Sequence, residues 1–348
     1  MSLEIVKPGV NINFVGNRHF AFALSGLFIL ASIISVIWNQ GLNLGVDFRG
    51  GLNIQVLLTD PKLGADDLRA ALTEGGLTIS SIQDFGAGQN EYLVNIQPEG
   101  DSQGLAKKAN TVLIETFGAD KAQLRRQEMV GPKVGDDLRQ KALYAIYYSI
   151  LMIIIYISGR FEQKWGTSAI FMAILIGVVY LVSLFGVGVG TLIIIALIVT
   201  LITCYCLKFS YALGSIIALI HDVVITTGLF SMLNKEITLT FVAAILTIIG
   251  YSLNDSIIVF DRIRENLRKP KLRGDLTGII NKSINETLSR TILTSGTTLM
   301  AVLSLYFLGG PVTRDFALAL FIGMSVGTFS SVFIASPILL LWEKKKVA

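Results

Sequence analysis

Apolar runs long enough to cross a bilayer recur along this chain, and nothing else in the sequence constrains its fold as strongly. About 20 apolar residues at 1.5 Å each traverse the hydrocarbon of a membrane. The first run, FAFALSGLFILASIISVIW, covers residues 20–38, and others follow at roughly 139–158, 168–186, 189–207, 211–233, 237–260, 290–309 and 315–342. Eight membrane helices are expected. With 52% hydrophobic and 16% charged residues, the chain is far too oily for an ordinary soluble domain. The first run is longer than a signal-peptide core of about 7–15 residues and no small-x-small site closes it, so it reads as a retained helix.

Between the first two spans, residues 39–138 change character. Alternating apolar residues mark strands at LNIQVLLT (52–59), TISSIQDFG (78–86), EYLVNIQ (91–97) and QLRRQEMVG (123–131). A 3.6-residue period marks helices at ADDLRAALTEGG (65–76) and SQGLAKKANTVLIETFG (102–118). The order βαββαβ predicts one α+β ferredoxin-like domain outside the membrane. The expected fold is therefore a polytopic α-helical membrane protein of about eight transmembrane helices carrying that extracytoplasmic domain.

Orientation follows from the basic residues of short loops. The segment 261–289 holds Arg262, Arg264, Arg268, Lys269, Lys271, Arg273 and Lys282, read as a basic cytoplasmic loop, and the tail holds Lys344, Lys345 and Lys346. Both ends of the chain, including an N-terminal segment 1–18, are then cytoplasmic in an even-numbered bundle, and 39–138 is periplasmic. The basic segment is expected to meet anionic lipid or a cytoplasmic-side partner, and no nucleic-acid ligand is expected.

An aspartate at the centre of a membrane helix costs about 2.5–3.5 kcal/mol on insertion scales, so its position carries information. Asp255 interrupts GYSLNDSIIVFDRIRE, beside a stripe of Thr240, Thr247, Asn254 and Asp261 that recurs every seven residues. The next helix carries Arg290, Thr294, Thr297, Ala301 and Ser304 along one small, polar face. If the two faces meet, Asp255 and Arg290 form an ion pair or a water-bridged pair. The plainer readings are an Asp255 that reaches the interface and an Arg290 that anchors its helix there. His221-Asp222, in ALIHDVVITTG, is either a proton relay or gate, or a buried network that fixes packing.

Other features are quieter. Cys204 and Cys206, two apart on one helix, point to different faces and read as packing. The chain has 2 histidines, too few for a histidine-based metal cluster. Gly323 and Gly327 read as a helix contact. GVDFRGG (45–51) precedes a strand and is not expected to cradle phosphate. No nucleophile motif suggests an enzyme, and no cofactor is expected.

GVDFRGG, GPKVGDDL, YISGRFE, ALIHDVVITTGLFS, GYSLNDSIIVFDRIRENLR and LSRTILTSGTT, in that order, resemble the successive signatures of the SecF family of protein-export membrane subunits. The resemblance implies assembly with SecD and the SecYEG channel in the bacterial cytoplasmic membrane, in a proton-motive-force-driven relative of the resistance-nodulation-division transporters. Translocating preprotein and membrane lipids are the other implied partners, with YajC and YidC as further candidates. It also implies that Asp255 and Arg290, with Asn254 beside them, serve proton movement. The 168–207 hairpin departs from the family pattern of six spans. A proton-driven small-molecule exporter of the same architecture and a structural scaffold are the rival readings.

Overall fold

The computed structural model describes residues 10–85, 90–97, 104–163, 165–269 and 275–343. Lys271, Arg273, the lysine tail and residues 1–9 lie outside them. Eight helical segments among the described residues are long and apolar enough to cross a membrane. They are α1 (Arg18–Trp38), α5 (Pro132–Glu162), α6 (Trp165–Ser183), α7 (Val189–Cys206), α8 (Ser210–Met232), α9 (Leu239–Leu267), α10 (Leu276–Leu308) and α11 (Pro311–Ser330), the last prolonged through a π turn (Ser331–Ala335) into α12 (Ser336–Glu343).

The soluble domain comprises a short α2 (Val46–Arg49), β1 (Gly51–Leu58), α3 (Ala65–Glu74), β2 (Ile79–Asp84), β3 (Glu91–Ile96), α4 (Leu105–Phe117) and β4 (Ala122–Val130). The sheet order is β2-β3-β1-β4 with every pair antiparallel, the split-βαβ arrangement expected of a ferredoxin-like sandwich. Strand alternation decides its two faces. Leu52, Ile54, Val56, Val94 and Ile96 face Leu68, Leu72, Ala109 and Leu113 of the two helices. The intervening residues, Asn53 and Asn95 among them, face away from that core.

Several boundaries differ from the sequence expectation. Helix α5 begins at Pro132, directly after β4, so the soluble domain hands the chain to the membrane without a linker. Proline is at home there, because the first helical N–H has no partner to lose. The segment 261–289 is not a loop. Helix α9 continues to Leu267 and α10 starts at Leu276, so Arg262, Arg264 and Lys282 sit on helix extensions. At 1.5 Å per residue, the 33 residues of α10 span about 50 Å, well beyond the hydrocarbon. Charges spaced three or four apart stabilise such extensions: Arg262 pairs with Glu265 (2.6 Å) and across to Glu286 (2.7 Å), and Glu265 with Lys269 (3.2 Å).

Two sequence motifs explain each other. Gly50 of GVDFRGG has φ +77, and a Cβ there would sit 2.9 Å from the backbone of Pro132 in GPKVGDDL. Residues 46–49 also form a helical turn, so the motif shapes a junction between the sheet and α5. Asp47 Oδ2 accepts the Leu239 N–H at 2.8 Å, and Gly45 N–H donates to Ile237 carbonyl at 2.9 Å, tying the domain to the α8–α9 turn.

At the opposite end of the bundle, Asn281 and Asn285 of α10 donate to the Ile12 carbonyl at 3.0 and 2.9 Å. The first described residues therefore lie against the start of α10, beside the basic extensions. Replacing Gly50 with alanine is expected to destabilise the protein by more than about 1 kcal/mol, from positive φ and the close approach together. A lowered thermal midpoint of the purified protein checks this.

Candidate functional site in the membrane bundle

Polar side chains inside the bundle gather around two aspartates, and their circumstances differ. Asp222, on α8, is fully buried. Its Oδ2 accepts hydrogen bonds from Ser252 of α9 at 2.6 Å and from Ser330 of α11 at 2.9 Å. Its Oδ1 lies 2.9 Å from His221 Nδ1, while His221 Nε2 lies 3.0 Å from Ser25 Oγ of α1. An imidazole that donates from Nδ1 and accepts at Nε2 satisfies all of these contacts in its neutral form. Gly327 lets the helices close up at the site: a Cβ there would lie 3.1 Å from Ser252 Cβ and 3.4 Å from Asp222 Oδ2, so its neighbours would have to give by a few tenths of an ångström.

Asp255, one turn along α9 from Ser252, is also fully buried but much less supported. Ser295 of α10 donates to its Oδ2 at 3.2 Å, and Ser295 Oγ lies 2.9 Å from Thr328 Oγ1 of α11. Asp255 Oδ1 has no hydrogen-bond partner among the described residues. Two more buried hydroxyls in the same state, Tyr251 on α9 and Thr291 on α10, stand one turn from Asp255 and from Ser295. The residues Ser252, Asp255, Thr328 and Ser330 thus run as a polar seam along the contact of α9 with α11.

The expected Asp255–Arg290 pair is not closed. Arg290 is exposed, and its guanidinium makes no hydrogen bond or ion pair among the described residues. The two polar stripes read from the sequence exist but face outward. Thr247, Asn254, Thr297, Ala301 and Ser304 are exposed, with Thr247, Thr297 and Ser304 hydroxyls returned to carbonyls of their own helices at 2.8, 2.8 and 3.0 Å. The face of α10 turned to α9 lies one step round, at Thr287, Thr291 and Ser295. Asp261, last of the stripe, pairs with Arg160 of α5 at 3.1 Å.

Sequence reasoning missed Ser25, Ser252, Ser295, Thr328 and Ser330. Single hydroxyls have no motif of their own; the available signal was the three-residue step from Ser252 to Asp255. Of the other features, Cys204 is buried and Cys206 exposed on opposite faces of α7. Gly323 packs against Ile248 of α9. No group of three or more His, Cys, Asp and Glu side chains among the described residues is placed to share a metal ion.

Comparisons with known proteins meet this geometry from outside. A family model for the C-terminal region of the protein export membrane proteins SecD and SecF matches residues 110–207 and 188–345, and one for the SecD/SecF GG motif matches 35–62. The two longer matches overlap on α7. A protein translocase subunit SecF from Desulfurispirillum indicum is 39% identical over 341 residues, covering 97% of this chain and 93% of that one. Another, from Escherichia coli O157:H7, is 38% identical over 94% of this chain and 87% of its own. The crystal structure of SecDF, a translocon-associated membrane protein from Thermus thermophilus, superposes with a TM-score of 0.71 at 32% identity over 97% of this chain. This chain spans 39% of that longer one. The chain belongs to the SecF family of protein translocase subunits.

Proposed function

We propose that this chain is the SecF-type half of a SecD–SecF assembly that uses the proton motive force to promote export of preproteins through the SecYEG channel. The observation that carries this reading is the buried, half-satisfied carboxylate of Asp255. A carboxylate buried without enough donors is a group whose surroundings must change when it takes up a proton. Neutral, it donates a hydrogen bond where before it could only accept. The unpartnered oxygens of Thr291 and Tyr251 supply acceptors one turn away on either helix. A proton at Asp255 therefore favours a different arrangement of α9 against α10, and a gradient can drive the exchange between the two arrangements.

Asp222 takes the other role. With donors from Ser252, Ser330 and His221 it is the fixed point of the bundle, which supports the packing reading of the His221-Asp222 pair over a relay.

The exposed face that contains Asn254, Arg290, Thr247 and Thr297 is too polar for lipid and supports a protein neighbour there, the SecD subunit. Arg290 and Asn254 then act across that interface, where Arg290 meets its counter-charge. The basic helix extensions, with residues 10–17 held against the start of α10, support cytoplasmic ends in the inner membrane and a periplasmic soluble domain. Hairpin α6–α7 packs on α5 and α8, away from this face, with Ile170, Ile174, Ile194 and Ile198 exposed as lipid requires. It is an addition at the rim of the family's bundle.

In membrane vesicles, Asp255→Asn is expected to remove the gradient-dependent part of preprotein export while SecD still co-purifies. Normal export in that assembled variant would leave a scaffold. Asp222→Leu is expected to lower the stability of the purified protein by at least about 2 kcal/mol, from stranded donors. Asp255→Asn should stay within about 1 kcal/mol of the parent in the same thermal melt. With the exposed Cys206 replaced, Asn254→Cys and Thr297→Cys should cross-link to SecD and Ile198→Cys should not.

A further inference from the structure

A cavity of about 490 Å³ lies in the half of the membrane bundle nearer the soluble domain, between α1, α5, α8 and α9. Val36, Leu143, Ile146, Val223 and Val242 form its walls, and Gly190 brings the start of α7 to one side. Each of those five wall residues is only partly buried, so the walls can be reached from outside. The lining holds two polar side chains, Thr227 and Arg139.

Helix α5 fixes the level at which the cavity sits. Arg139 and Lys141 are its last charges before residues 142–159, which carry none, so Arg139 stands where the hydrocarbon begins. Ala142, Leu143 and Ile146 follow it by three, four and seven residues on one face, which takes the cavity about 10 Å into the span. Trp38, two residues past Val36 at the end of α1, is 85% exposed, and tryptophan favours the same interfacial level.

Arg139 is exposed, and its guanidinium makes no hydrogen bond or ion pair among the described residues. The carboxylates within a helical turn of it are engaged elsewhere, Asp137 with Lys141 at 2.7 Å and Asp136 with Gln140 at 3.1 Å. The cavity is therefore an apolar cleft with one free cation at its mouth. Water finds too few polar partners in such a cleft to be held there. A partner helix, about 10 Å across, needs more room than this volume gives. The acyl chains of the bilayer meet both conditions, and a guanidinium beside them favours an anionic head, which it can engage with two parallel N–H donors.

We propose that this cavity holds one acyl chain of an anionic phospholipid, with the phosphate of its head group on Arg139. The leaflet that supplies the lipid follows from the orientation proposed above; the binding chemistry does not depend on it.

The test is native mass spectrometry of the full chain, stripped of lipid in detergent and titrated with phosphatidylglycerol or with phosphatidylcholine of the same chain length. One phosphatidylglycerol should bind ahead of all others, about fivefold more tightly than phosphatidylcholine, and Arg139→Gln should abolish that preference. Thr227→Phe, which places a ring in the cavity, should weaken the first site for both lipids in a protein that still melts cooperatively. Glycerol phosphate, a head group without chains, should not bind. Equal binding of the two lipids to the parent protein, a comparison that needs no variant, overturns the proposal and leaves Arg139 an interfacial anchor. A preference that persists in Arg139→Gln overturns the head-group contact, and a first site unchanged in Thr227→Phe overturns the cavity as its location. Glycerol phosphate binding as tightly as the lipid overturns the acyl chain's part. None of these failures touches the export reading, because no translocation is measured.

Discussion

A carboxylate in the middle of a helical bundle has to be given donors by its neighbours, and Asp222 recruits them from nearly every direction. Ser252 comes from α9, Ser330 from α11 and His221 from its own helix, which in turn reaches Ser25 on α1. Apolar helices in lipid have little hydrophobic reason to prefer one partner over another, so small residues and hydrogen bonds decide which faces meet. Gly327 and Gly323 bring α11 against α9, and Gly228 brings α8 against Ser32 of α1. Those three contacts set the distances at which the hydroxyls reach Asp222.

With that point fixed, Asp255 gains its significance by contrast. It lies three residues beyond Ser252 on the same helix, within the same seam, yet has one hydrogen bond from a neighbouring helix. A rigid polar cluster beside a loosely held acid is the arrangement a switch needs. In the function proposed, one part keeps the helices in register while the other changes partners.

Most of the fold was legible because each element carries a period the sequence displays. The membrane spans, the strand alternation and the βαββαβ order all come from side-chain patterns that burial enforces. Where charges continue a helix into water, as from Asp261 to Leu267, hydropathy loses it, since the helix there is held by ion pairs. The stripe from Thr247 to Asn254 was equally visible, but periodicity reports that residues share a face and not which way the face looks. Here it looks outward, and the inward face carries single serines and a threonine at Ser252, Ser295 and Thr328 that polar composition alone does not distinguish. The pairing of GVDFRGG with GPKVGDDL was beyond sequence reasoning for a related reason: a glycine's purpose lies in what approaches it.

The π turn at 331–335 begins at the residue after Ser330 and ends where Ser336 Oγ bonds the Ser331 carbonyl at 2.9 Å. One surplus residue in a turn advances everything downstream by roughly 100° around the helix axis. Counted straight from α11, Ile338 and Leu339 would fall out of phase with the face they occupy; with the extra residue they return to the apolar core. The bulge also carries the Ala335 carbonyl to where a side chain on Gly214 would collide with it, at 2.8 Å. The last span is therefore two helices of differing phase joined by a crank, able to serve the carboxylate at Asp222 with one half and the oily interior with the other.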